Sequence, residues 1–143
     1  MYIILILPII AGLLAQVLKF LFKSNKLDVS FNSLTSYSGM PSAHSAIVIS
    51  LATIVGLKEG LPSPAFAISI IFALIVIRDA LGLRQYIGQH GRVLNILVKD
   101  LKNDKVLDET YPHLLEKIGH TPMQVLAGSI LGFLVSVIGY FLI

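Results

Sequence analysis

The chain alternates long apolar runs with shorter polar connections, and the runs have the length of bilayer-spanning helices. Such a helix needs about 20 mostly apolar residues, with about 17 as the lower bound. Four stretches meet this: residues 2–22, 41–57, 61–77 and 122–143. The first is interrupted by Gln16 and Lys19 near its end, and the last carries no charge. The second and third are short, which predicts little tilt or a locally thinned bilayer. Two polar connections remain, 23–40 and 78–121. Within the second, LRQYIGQHGRVLNILVKDLK (83–102) has apolar side chains at 83, 87, 94, 97, 98 and 101. That spacing is roughly helical with a basic polar side, and it predicts an amphipathic helix lying at the membrane interface. Residues 103–114 (NDKVLDETYPHL) read as a turn and a short helix. The pattern predicts an all-α integral membrane protein, one membrane-embedded domain over residues 1–143, with four transmembrane helices plus the interfacial one.

Composition agrees. Of 143 residues, 55% are hydrophobic and only 13% charged, against about 25% charged in a typical soluble domain. The mean hydropathy is +0.84. With no cysteine, disulfides, thiolate metal sites and cysteine nucleophiles are excluded. The net charge of +3 comes without aromatic and basic residues interleaved, which argues against a nucleic-acid partner and for a membrane surface or an anionic ligand. The N-terminal run has no positive region before it and no small-residue cleavage site after it, and reads as a retained helix.

Charge also sets the topology. Four spans put residues 19–40 and 78–121 on one side of the membrane. Ten of the 11 Lys and Arg residues then lie on that side, Lys58 being the exception. By the positive-inside rule this side faces the cytoplasm, which predicts a plasma-membrane protein with a cytoplasmic active face. All four histidines fall on the same side, as does every carboxylate except Glu59.

Two of those histidines stand at helix mouths. GMPSAHSA (39–46) sets Pro41, Ser42 and His44 directly before an apolar run, and GHTPMQVLAGSILG (119–132) sets His120, Thr121 and Pro122 before another. Proline fixes φ for a first helical turn, and the first amides of a helix lack intrahelical partners. Each stretch taken alone reads equally as a simple cap or as an anion site. Two such mouths on one face admit a division of labour: one histidine attacks phosphorus, the other protonates the leaving oxygen. Lys19 and Lys26, seven residues apart, and the Arg78, Asp79, Arg84 cluster supply charge nearby. Of these, Arg84 has the geometry to grip a phosphate with two donors, whereas interfacial anchoring suits Lys23.

These motifs resemble the type 2 phosphatidic acid phosphatase superfamily, and more closely its small divergent branch. AQVLK (15–19), GMPSAHSA, DALGLR (79–84), GQHGRVLN (88–95) and GHTP (119–122) follow that branch in order over most of the chain. The resemblance implies a lipid phosphate phosphatase that uses no metal or cofactor and acts on a membrane lipid. His120 would be the nucleophile that becomes phosphohistidine and His44 the general acid. Ser42 and the amide of Ala43 would hold phosphate oxygens together with Lys19 and Lys26, and Arg84 and Asp79 would complete the site. Three positions depart from the superfamily. Gln124 replaces the aspartate that orients the nucleophile; it can accept the ring N–H but supplies no charge. Leu114 replaces an arginine, a place Arg84 can fill, and Leu27 replaces a proline. With those departures, turnover is slow, is supported by Asp79 or Glu116, or is lost.

Two functions therefore compete: hydrolysis of a phosphatidylglycerophosphate- or phosphatidate-class lipid, and phosphate or phospholipid binding without turnover. A channel subunit ranks last, because no ionisable residue sits mid-span. With only four spans, dimerisation would supply missing packing surface.

Overall fold

In the computed structural model, the described residues are 2–20, 39–100, 114, 116 and 118–142. They form five helices and no strand: α1 Tyr2–Leu18, α2 Ala43–Glu59, α3 Pro64–Leu81, α4 Leu83–Asp100 and α5 Pro122–Leu142. Lys26, Lys23, Leu27, most of the 23–40 connection and nearly all of the 103–114 turn and helix lie outside the described residues.

The helices follow the hydropathy pattern, but capping residues shift their ends. Ser63 caps α3 by accepting the Phe66 N–H at 3.2 Å, with Pro64 in the first turn, so this helix starts three residues after the apolar run does. Ser42 caps α2. Pro41, expected inside the first turn, instead precedes the cap and follows a cis bond from Met40. The α1 helix ends at Leu18 rather than at 22. Among the described residues, the apolar stretch that begins at Pro64 and helix α5 are long and apolar enough to cross a bilayer, and α1 is a shorter apolar helix.

Helix α2 is the centre of the bundle, packed against α5, α1 and α3, while α1 also touches α5. The seam between α2 and α5 is built from small residues. Gly128, Gly132, Ser136 and Gly139 are the buried face of α5. A Cβ on Gly128 would run into the Ser42 carbonyl, and one on Gly132 into the Ala46 carbonyl. Lipid tails are as apolar as leucine, so helices in a membrane associate through close backbone approach and hydrogen bonds. Both occur here. The Ser136 hydroxyl donates to the Ser50 carbonyl at 2.8 Å. Its one proton being spent, it accepts from the Ser50 hydroxyl at 2.7 Å. Ser45 Oγ donates to the Val125 carbonyl at 3.0 Å. Ala11, Ala15, Ala43 and Ala46 complete the small-residue core, flanked by Leu131 and Val135.

Helix α4 behaves differently. It turns away from α3 at Gly82, whose N–H bonds the Arg78 carbonyl at 2.9 Å. It leaves Leu83, Tyr86, Ile87, Val93, Leu94, Ile96 and Leu97 exposed, as an interfacial helix does.

Candidate active site

The close α2–α5 seam brings the mouths of these two helices side by side. The Ser42 N–H donates to the Gln124 carbonyl at 3.0 Å, tying one mouth to the other. Ser42 is fully buried, and its hydroxyl accepts the Ser45 N–H at 3.4 Å. Its side chain therefore serves as a cap. The amides of Ala43 and His44 occupy the first two helical positions, where no intrahelical acceptor exists. His44 itself is half-buried and points across the seam.

His120 is delivered from the other side by the chain returning along α4. Asn95 clamps that chain: its amide donates to the Leu114 carbonyl and to Glu116 Oε1, each at 2.9 Å, and its oxygen accepts the Leu114 N–H at 3.1 Å. Gly88 lets the return pass close, since a Cβ there would lie 2.5 Å from the Glu116 carbonyl oxygen. Gly119, at φ 100°, makes the turn into the site in the left-handed region that glycine tolerates. His120 is then held at both ends of its backbone. Its N–H donates to the Ala80 carbonyl at 3.0 Å. Its carbonyl accepts from Gln85 Nε2 at 2.7 Å.

Gln124 holds the ring. Thr121 and Gln124 form a reciprocal capping box. The Gln124 N–H reaches Thr121 Oγ1 at 3.4 Å, and the Thr121 N–H donates to Gln124 Oε1 at 3.0 Å. A backbone N–H needs an acceptor, so this bond identifies the side-chain atom as oxygen. The same oxygen lies 3.3 Å from His120 Nδ1, which must therefore carry the proton. Nε2 is left with its lone pair, the form a nucleophile requires. Burial (2% exposed) pushes the His120 pKa down from 6.5 to about 4, with Lys19, His44 and Arg84 adding to the shift against the Gln124 hydrogen bond. The ring is neutral at neutral pH.

The centroids of the His44 and His120 rings are 5.9 Å apart, with the planes tilted by 57°. Lys19, only 3% exposed, and Arg84 lie within electrostatic reach of both. Arg84 Nε pairs with Asp79 Oδ2 at 2.7 Å. That pairing makes Asp79 an orienter of the guanidinium. Glu116 is engaged by Asn95, one helix away. Of the residues singled out in the sequence, His44, His120, Gln124, Lys19, Ser42, Ala43, Arg84 and Asp79 converge here. Lys26 lies outside the described residues.

Three contributors were not anticipated. Gln85 and Ser45 carry no signal in a single sequence, because their partners are backbone carbonyls far along the chain. The third is Gln124 as the partner of the cap that Thr121 suggests; the pair is a readable S/T-x-x-E/Q signature.

The sequence profile described as the Divergent PAP2 family matches residues 2–135. The chain belongs to this family. It is also 40% identical over 144 residues to a Bacillus subtilis relative named as the uncharacterized membrane protein YuiD, an alignment that covers 92% of this chain and 90% of the relative. The relative is a membrane protein, in keeping with the apolar helices here. No solved structure matches the chain. The Divergent PAP2 family is phosphatase-related by its description, so the two facing histidines bear on its chemistry.

Proposed function

We propose that this divergent PAP2 protein is a membrane phosphatase that hydrolyses a lipid phosphate monoester through a phosphohistidine. One observation carries the reading: two histidines face each other across 5.9 Å at adjoining helix mouths, one of them locked with Nε2 free. In the first step His120 Nε2 attacks phosphorus and the bond from phosphorus to the lipid oxygen breaks. Protonated His44 gives its proton to the departing alkoxide. In the second step His44, now neutral, takes a proton from water as the water attacks phosphorus. The phosphorus–nitrogen bond breaks, and inorganic phosphate leaves. The Ala43 and His44 amides, Lys19 and Arg84 neutralise the oxygens, where preorganised donors act most strongly. Phosphatidylglycerophosphate and phosphatidate fit a site on the cytoplasmic face of the plasma membrane, the side that the ten-to-one distribution of cations favours. Four spans, of which α2 and α3 are the short pair, with α4 on the interface, would put both histidines on that side.

A second reading is binding of phosphate or phospholipid without turnover. It is favoured by Gln124, whose oxygen accepts the ring N–H yet brings no charge to balance an imidazolium. Phosphate release from phosphatidylglycerophosphate and phosphatidate, with purified protein in detergent and EDTA present, separates the two. Hydrolysis by the wild type that is lost in His120→Ala supports the phosphatase; equal release by both proteins contradicts it.

A further inference from the structure

Helix α4 divides into a side that holds a chain and a side that holds nothing of this protein. Gln85, Gly88, Gly91, Asn95 and Val98 follow one another at one-turn spacing and are buried or half-buried. Leu83, Tyr86, Ile87, Leu94 and Leu97, on the other side, are exposed. The inner side is small and polar because of what it grips. Asn95 makes three hydrogen bonds to Leu114 and Glu116. A Cβ on Gly88 would lie 2.5 Å from the Glu116 carbonyl oxygen and 3.3 Å from the Ile118 nitrogen. Gln85 Nε2 holds the His120 carbonyl at 2.7 Å. The contacts run back from Asn95 to Gln85 as the chain runs forward from 114 to 120. About three turns of α4 therefore carry the segment that ends in His120. The bundle around α2 is made by α1, α3 and α5, and α4 packs against α3.

We propose that α4 is an arm seated in the membrane surface by its apolar side, and that this seating positions His120 through the grip of Asn95 and Gln85. The role of His120 as nucleophile rests on the phosphatase reading above; the arm itself does not. Two observations commit the apolar side to lipid rather than to a second copy of the chain. Helix α3 has 18 residues, a rise of about 27 Å, close to the hydrocarbon thickness of about 30 Å. Its end, and the turn at Gly82 into α4, therefore lie at the bilayer surface. Exposed Arg92 and Lys99 fall one turn after Gly88 and Asn95, away from the apolar stripe, where the cations of an interfacial helix meet anionic head groups. The His120 backbone thus has two anchors: its N–H on the Ala80 carbonyl of α3 at 3.0 Å, and its carbonyl on α4. Releasing α4 from the surface leaves one. Asn95 is a positioning residue in this account, because it acts through the chain that it holds.

The protein has no tryptophan, so single tryptophans report the seating in vesicles of phosphatidylglycerol and phosphatidylcholine with brominated acyl chains. Leu94→Trp is expected to be quenched severalfold more strongly than Lys99→Trp. Equal quenching, or a Leu94→Trp signal that instead follows protein concentration as a second copy covers the face, overturns the lipid seat. Hydrogen exchange of the 114–121 peptide reports the grip without turnover. Ile87→Gln combined with Leu94→Gln, and separately Asn95→Asp, are each expected to speed exchange there about tenfold and to leave peptides of the α2–α5 seam unchanged. Asn95→Asp sets a carboxylate against Glu116. Adding Glu116→Gln restores a donor and an acceptor in the opposite sense, and is expected to recover most of the protection and of kcat. Phosphate release is expected to show kcat lowered about tenfold in both unrescued variants with KM unchanged. Exchange that does not move, that rises equally in the seam, or that Glu116→Gln fails to restore overturns the arm. Faster exchange in the variants of a protein whose wild type releases no phosphate would remove the phosphatase reading and leave the arm standing; phosphate release with exchange unmoved would do the reverse.

Discussion

The two helix mouths of the site use the same residue types in opposite order, and the order decides what each mouth does. At α2 the sequence is proline, serine, alanine, histidine. Serine caps from outside, the histidine falls inside the first turn, and two amides remain open. At α5 the order is histidine, threonine, proline, methionine, glutamine. The histidine lies outside the helix, proline removes one amide, and the reciprocal Thr121–Gln124 box closes another. Serine closes the third amide at α2 in the same way, so the mouths differ by one amide without an intrahelical acceptor, Ala43 and His44 at α2 against Met123 at α5, and by the glutamine oxygen that holds a side chain still at α5. His120 accordingly has its N–H, its carbonyl and its Nδ1 engaged. A nucleophile, the role proposed for His120, gains from such fixation, because attack demands one orientation; a proton donor, the role proposed for His44, can tolerate more freedom.

The sharpest break in this asymmetry is His120→Ala, expected to abolish phosphate release while phosphate still binds at the α2 mouth. Isothermal titration with inorganic phosphate beside the release assay checks both halves. His44→Ala is expected to slow lipid substrates far more than aryl phosphates, whose leaving group needs little protonation. Equal losses on both would remove the general-acid role.

Gly128→Val comes next. Its side chain would meet the Ser42 carbonyl, so α2 and α5 must separate and the two mouths move apart. Overpacking of this kind costs about 1–3 kcal/mol. Activity is expected to fall further than thermal stability does, whereas Ser129→Val, outside that buried face, is expected to change neither.

Gln124→Asp sharpens the comparison through pH. As the proposed nucleophile His120 must be neutral, and with its pKa at about 4 it stays neutral well below the ordinary histidine range. The acid limb of kcat/KM, which reports the free enzyme, is therefore expected near pH 4. A carboxylate beside Nδ1 favours the protonated ring and raises that pKa. The acid limb is expected to move upward, and turnover to rise if missing charge limits the step. An unmoved limb would mean that His120 does not set it.

The smallest effect is expected from Gln85→Leu. It frees the His120 carbonyl without touching the ring, and loss of one hydrogen bond of this kind costs about 1 kcal/mol. A fall in kcat with KM unchanged, rescued by Gln85→Asn, marks a positioning role; a loss of stability alone marks a structural one.

How much of this could be read from the sequence depends on the range of the interaction. The apolar runs, the amphipathic α4 and the pairing of His44 with His120 are local patterns or repeated grammar, and all were legible. Helix ends at Ser42 and Ser63 were misplaced, because counting apolar residues ignores which hydroxyl accepts the first amide. The packing of Gly128 and Gly132 on the carbonyls of Ser42 and Ala46 was not legible. Neither was the hold of Gln85 on His120. Both join residues tens of positions apart, and neither glycine nor glutamine announces a partner. Gln124 was read for its missing charge, although its capping role was written in the four residues from Thr121.

The most direct test is to trap the intermediate. Protein mixed with a lipid phosphate monoester radiolabelled in its phosphate is quenched in alkali within the first turnover and digested. A phosphohistidine mechanism predicts an acid-labile, alkali-stable label on the peptide that contains His120, present in wild type and absent from His120→Ala. Phosphate release with no labelled protein at any quench time, or label that persists in His120→Ala, would contradict it.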